Sequence, residues 1–210
     1  MNQELQQMIG KAKGEVVKDP DHGLSFGTRK DVLRALGPVL LEADGRVAVI
    51  GRGLIRRTRL CVAIVRPLLP LWDEYYAPNK DPQLMLELAE QYLLGKCSKE
   101  HLKNKAYAFG GGLMNSDAPE THLAFAAGRA SVCAAYVAKN DEILQADEGM
   151  SEEDLLDPQD PDLWDCAFWA AAAAAGGMPW IDGFSKEKYG AFWNHYLDVE
   201  VPAAWASVPE

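Results

Sequence analysis

Apolar residues recur along this chain at three- and four-residue spacing, the signature of helices that bury one face. The pattern is densest over residues 160–180, DPDLWDCAFWAAAAAAGGMPW. Trp164, Ala167, Phe168, Ala171 and Ala175 make one stripe. Trp169 lies off it, so this helix is apolar almost all round and is expected inside the protein. Asp160 reads as its N-cap and Pro161 as its first helical residue. The six alanines Ala170–Ala175 let other helices approach closely. Gly176 and Gly177 end the helix, and Pro179 forbids its resumption. Trp180 is expected to fold back onto the core.

A second buried helix is predicted over Pro119–Leu144, opened by Asp117 with Glu120 three residues on. Leu123, Ala126, Ala127, Ala130, Ala134 and Val137 form one stripe; Phe125, Val132 and Tyr136 form another. It is expected to pack on 162–175 through small residues. His122 and Arg129 share one of its faces. An arginine amid so much alanine calls for a carboxylate, and Asp165 is the candidate partner; the alternative is an arginine that snorkels to the surface.

Between Arg46 and Trp72 there are six arginines and no acid. VAVIGRG suggests a strand feeding a glycine turn, but no GxGxxG follows. The helical reading fits more residues: Leu54, Thr58, Cys61, Val65, Leu68 and Trp72 fall on one face, with Arg52, Arg56, Arg59 and Arg66 on another. Pro67 and Pro70 should bend or interrupt this helix.

The remaining segments read as follows. Residues 2–18 suggest a short helix, and Asp19–Gly27 a loop. Thr28 with Asp31 resembles a capping box for a helix running to about Asp44, with Val32, Leu36, Val39 and Leu40 inward. Asp81-Pro82 starts a helix that Gly95 ends, and Ser98 caps another through about Phe109. Gly110–Gly112 lacks the Lys-Ser/Thr of a phosphate loop and reads as a turn or helix break. Ser185 caps the last main helix, with Tyr189, Phe192, Trp193 and Tyr196 inward. Trp205 anchors the tail, and His195 reads as a packed or surface residue.

These elements predict an all-α fold: a single domain of about seven to nine packed helices. Residues 1–45 are expected to form a helical N-terminal region, joined in one domain to an all-helical region 46–210. No apolar run approaches the ~18 residues needed to span a bilayer, so a cytoplasmic protein is expected.

The net charge is −10, which argues against direct nucleic-acid binding and fits either simple solubility or a basic protein partner. It also favours internal pairing of the arginine stripe over a phosphate site. Cys61, Cys97, Cys133 and Cys166 are far apart and lack CxxC spacing, so reduced thiols are expected and no metal site. Eleven acids and no Lys or Arg lie in 141–165. That composition predicts an exposed loop around a short helix at Ser151–Leu156, and DxDxDG-type calcium spacing is missing.

Several stretches, in order, resemble the fifth immunity-protein family of bacterial polymorphic toxin systems: RTRLCVAIVRPLLPLWDEYY at 57–76, LMLELAEQYLLGKCSKEHL at 84–102, the alanine-rich helix around 123–138, DPDLWDCAFWAAAAAAGG at 160–177 with Trp180, and FWNHYLDVEVPAAW at 192–205. The resemblance covers about Arg57 to Trp205. It implies a mostly α-helical protein, encoded beside a toxin gene, that neutralises the cognate toxin domain by binding it. It carries over no catalytic motif and no contact residues, so a non-enzymatic role without cofactor is expected.

An acidic inhibitor of a basic toxin, such as a nuclease, would gain association rate by electrostatic steering. Asp147, Glu148, Glu152, Glu153, Asp154 and Asp157 are the toxin-binding candidates. The alternatives are a small enzyme that reverses a toxin's modification through His122, Arg129 and Asp165, and a helical scaffold.

Overall fold

The computed structural model of the chain describes residues 1–40, 49–113, 119–141, 144 and 164–208. Its α-helical segments are α1 (Gln3–Lys18), α2 (Phe26–Ala35), α3 (Arg52–Val65), α4 (Leu69–Tyr76), α5 (Asp81–Leu93), α6 (Lys99–Leu113), α7 (His122–Asn140), α8 (Cys166–Ala175), α9 (Lys186–His195) and α10 (Val201–Ala206). A 3-10 turn joins α3 to α4 and a π-helical turn joins α9 to α10, so the ten segments make eight rods among the described residues. The fold is all-α, as the periodicity predicts.

The polar N-terminal stretch is helical because it is capped and has one apolar face. The Asn2 side chain accepts from Leu5 N, and Leu5, Ile9, Ala12 and Val16 are buried at helical spacing. The cap of α2 differs from expectation. Ser25, not Thr28, caps it, accepting from Thr28 N. Glu15 of α1 accepts from Ser25 N and Thr28 Oγ1, tying the two helices at this corner. α2 also stops at Ala35 rather than about Asp44. Gly37 sits at φ +139 before Pro38, a backbone no helix tolerates, and Leu40 is exposed.

α3 and α4 carry the expected face: Leu54, Thr58, Cys61, Val65 and Trp72 are buried. The break between them falls at Arg66–Leu68, at Pro67 and Pro70, as those residues demand. α6 runs straight through Gly110–Gly112 to Leu113, so these glycines are neither a turn nor a break. A Cβ at Gly110 would come within 3.3 Å of Val132; close packing on α7 outweighs glycine's poor helix propensity.

α7 is the central rod, packed on α3, α4, α5, α6 and α8. Its alanines and Gly128 let these neighbours close in: a Cβ at Gly128 would lie 3.0 Å from Leu113 and 3.1 Å from the Trp72 ring. It ends at Asn140 because Asp141 turns left-handed at φ 55. The expected Asp117–Glu120 box falls on a pair of which Asp117 lies outside the described residues.

α8 is buried on nearly all sides, but it begins at Cys166. Asp165 is its N-cap and accepts from Phe168 N at 2.8 Å; Trp164 precedes the helix rather than joining its stripe. Asp160 and Pro161 lie outside the described residues. Gly176 closes α8 at φ +88, as expected.

Ser185 caps α9, accepting from Lys188 N. The π-helical turn at Tyr196–Glu200 precedes Pro202, which has no N–H to give a helix. The added residue keeps Trp193, Tyr196, Leu197, Val201 and Trp205 all facing inward. One hydrophobic cluster includes residues from α1 through α10. The expected boundary between residues 45 and 46 falls in 41–48, outside the described residues.

Candidate functional site

The acidic stretch is the first place to look for a partner surface. Its six candidates, Asp147, Glu148, Glu152, Glu153, Asp154 and Asp157, all lie outside the described residues. The two acids at its ends are described, and both are internal. Asp141 is 1% exposed and meets Arg57, 0% exposed: Nε donates to Oδ1 at 2.7 Å and Nη2 to Oδ2 at 2.5 Å. Arg57 also donates to the carbonyls of Leu33 and Gly37 at 3.0 and 2.6 Å, and more distantly to Pro38 at 3.5 Å. That uses all five guanidinium N–H groups and places a cation at the C-terminus of α2.

Asp165 is likewise buried, but its partner is Arg29 of α2 at 2.7 Å, not Arg129. Arg29 donates as well to Leu24 O at 2.6 Å and lies over the Phe26, Phe168 and Trp193 rings. The expected Arg129–Asp165 pair does not form, because Arg29 occupies the Asp165 carboxylate. Arg129 is half-buried over the ring of Trp169, 5.6 Å from its centroid. Arg29 had a readable signal: with Phe26, Leu33 and Leu36 it falls at i, i+3, i+7 and i+10, on the inward face of α2. Two buried ion pairs thus fix the residues on either side of 142–163.

His122 begins α7 half-buried, with its Nε2 3.1 Å from Gly176 O at the C-cap of α8. An aromatic group gathers on α7, α8 and the segments flanking α8. Trp164 stacks on Phe168 at 5.5 Å, Trp169 meets Trp164 edge-on at 5.2 Å, and Phe125 of α7 meets Trp169 at 5.6 Å. Trp180 closes over Trp164 and Phe168 at 5.8 and 6.2 Å, yet keeps 39% of its surface in water. It folds back only in part. His122, Arg129 and Asp165 stand in three separate environments: a helix cap, an indole face and a buried ion pair.

Arg56, Arg57 and Arg59 of α3, with Arg66 just beyond it, are turned to the chain itself, while Arg52 is exposed. Arg56 donates to Leu36 O and Val208 O and lies 3.7 Å over Trp205. Arg59 donates to Ser207 O, and Arg66 pairs with Glu90. The pairing is internal, although most acceptors are backbone carbonyls rather than carboxylates. The Arg56 and Arg59 bonds hold the C-terminal turn against α3.

The four cysteines are free, with Cys61 and Cys166 buried. Burial pushes the Cys166 thiol well above its ordinary range, with Cys61 beside it adding to the rise. A thiol so placed is a poor nucleophile; its Sγ donates to Ala130 O. Burial also raises Tyr196 well above the usual phenol range and Tyr189 to about 12. His195 is on the surface, 3.0 Å from Glu200. Among the described residues no three His, Cys, Asp or Glu side chains come together as metal ligands, and no helix is long and apolar enough to cross a membrane.

No curated protein matches the chain. A protein family does: that of immunity protein Imm5, which matches residues 9–203 and so takes in every helix from the middle of α1 to α10. The all-α body, the alanine-rich α7 and α8 and the tryptophan-bearing turns all lie inside the matched range, and the chain belongs to the Imm5 immunity protein family.

Proposed function

We propose that this chain protects its host by binding a cognate toxin domain in the cytoplasm and blocking its action, with no chemistry of its own. The observation that carries the reading is the family match over 9–203. The net charge of −10 supports a basic partner. A nuclease is the toxin class that fits best, because enzymes that grip a phosphate backbone need a cationic face. The acids Asp147, Glu148, Glu152, Glu153, Asp154 and Asp157 would meet that face and speed encounter. The buried pairs Arg57–Asp141 and Arg29–Asp165 support this assignment: they hold both ends of the acidic stretch to the helical body.

The test is purification with the product of the adjacent gene, followed by association rates across a salt series. A stoichiometric complex is expected, with an association rate that falls as salt rises. Neutralising Glu152, Glu153 and Asp154 together should slow association and flatten that salt dependence. Unchanged rates would remove the acidic stretch from the interface and leave the immunity role standing.

A further inference from the structure

The link between α8 and α9 is short, and its two ends are joined. Ser185 N donates to Ala175 O at 2.8 Å, and inside the loop Ile181 N donates to Met178 O and Phe184 N to Ile181 O. Gly176, Gly177 and Gly183 have φ of +88, +142 and +94. Gly176 and Gly183 press together so closely that a Cβ at Gly176 would sit 2.7 Å from Gly183 O. The glycines permit a backbone that other residues resist, and the hydrogen bonds hold it in one shape.

The tip of this fixed loop is apolar. Trp180 is 39% and Ile181 37% exposed, side by side in sequence. Trp180 is backed by Trp164 and Phe168, so its ring has a defined direction. Adjacent Trp and Ile held out on a braced turn present apolar side chains at a fixed point of the surface. Tryptophan dominates binding hot spots, and holding it ready lowers the entropy cost of docking.

Charge selects the occupant. Asp182 follows Ile181 at the tip, exposed, on a chain whose net charge is −10. Charge complementarity favours a partner that offers an apolar pocket within a basic surface.

We propose that Trp180 and Ile181 are the apolar anchor with which this chain grips the toxin domain, seated in a pocket on the toxin's basic face. The anchor rests on the toxin-binding reading above. It divides the work of the interface: acids set the rate of encounter, and the loop tip sets how long the complex lasts.

The test uses the full chain and the product of the adjacent gene. Variants are Trp180→Ala, Ile181→Ser and, as a remote control, Leu94→Ser, which alters an apolar residue exposed elsewhere on the surface. Each is checked for wild-type circular dichroism and melting, and Kd and dissociation rates are measured. Trp180→Ala should weaken binding by roughly thirtyfold or more, through faster dissociation, with the salt dependence of association unchanged. Ile181→Ser should weaken it by roughly fivefold, and Leu94→Ser should have no effect.

Ile181 has no part in the aromatic stack, so its variant keeps the test decisive should Trp180→Ala fail to fold. Wild-type affinity in folded Trp180→Ala, or in Ile181→Ser, overturns the anchor and leaves toxin binding intact. A wild-type chain that does not bind the toxin overturns both. A dimer of the chain alone that Trp180→Ala dissolves assigns the tip to a second copy and overturns the anchor.

Discussion

Replacing Arg57 by Met should be among the most damaging single changes in this protein. Neither Arg57 nor Asp141 reaches water, and all five N–H groups of Arg57 have acceptors on Asp141, Leu33, Gly37 and Pro38. Methionine fills much of the volume but strands a buried carboxylate and leaves the Leu33 and Gly37 carbonyls short of a donor. Breaking a buried ion pair from one side costs about 3–5 kcal/mol. A domain's whole stability is roughly 5–15 kcal/mol, so the variant should lose a large share of it.

Asp141→Asn is the informative comparison. Asparagine accepts the left-handed backbone at φ 55, its amide oxygen keeps one bond to the guanidinium, and Arg57 retains its carbonyl acceptors. The cost should be about 2 kcal/mol, below that of Arg57→Met. Urea unfolding followed by circular dichroism gives both values from midpoint and slope. A cost for Arg57→Met under about 1 kcal/mol with an unchanged slope would refute the reasoning. So would an Asp141→Asn that is the worse of the two.

Other expectations are independent of this one. Gly128→Ala should destabilise by about 1–3 kcal/mol despite alanine's better helix propensity, because its methyl meets Leu113 and the Trp72 ring at 3.0 and 3.1 Å; a melting temperature at or above wild type would contradict that packing. Stability should fall as pH rises above about 9. The unfolded chain releases the Cys166, Tyr189 and Tyr196 protons near 9.0 and 10.0, while burial holds them in the folded chain, Tyr189 to about 12. The unfolded state then binds fewer protons, so the slope with pH is negative; Tyr189 alone accounts for about 1.4 kcal/mol by pH 11 and about twice that once the pH passes about 12. Urea midpoints at pH 8, 10 and 11 check this, and a flat profile would show that these groups reach solvent.

The helices were legible where their periodicity is set by burial. The stripes of α3, α7 and α8, the glycine end of α8 and the Ser185 cap all follow from residues close in sequence. Errors came where a tertiary or backbone constraint outranked the local pattern. Gly37–Pro38 cut α2 short although Val39 and Leu40 continue its apolar spacing. Gly110–Gly112 stayed helical because α7 packs against Gly110.

The partner of Asp165 was out of reach for a different reason. Arg29 and Arg129 both lie in apolar helical contexts, and only the tertiary arrangement that brings Arg29 to Asp165, 136 residues away, decides between them. The candidate site divides in the same way. The acids of 141–165 are plain in the sequence, yet the two at its ends belong to the interior. Trp180 reads as core from its apolarity, and only the closed loop around it turns its edge to water.

The central claim is protection by binding a toxin, and survival tests it most directly. The domain encoded by the adjacent gene would be expressed from an inducible promoter in a host lacking both genes, with and without this chain. The account predicts loss of viable cells with the toxin domain alone, and growth restored by this chain in proportion to complex formed. Unrestored growth, with both proteins soluble and the toxin active, would contradict it.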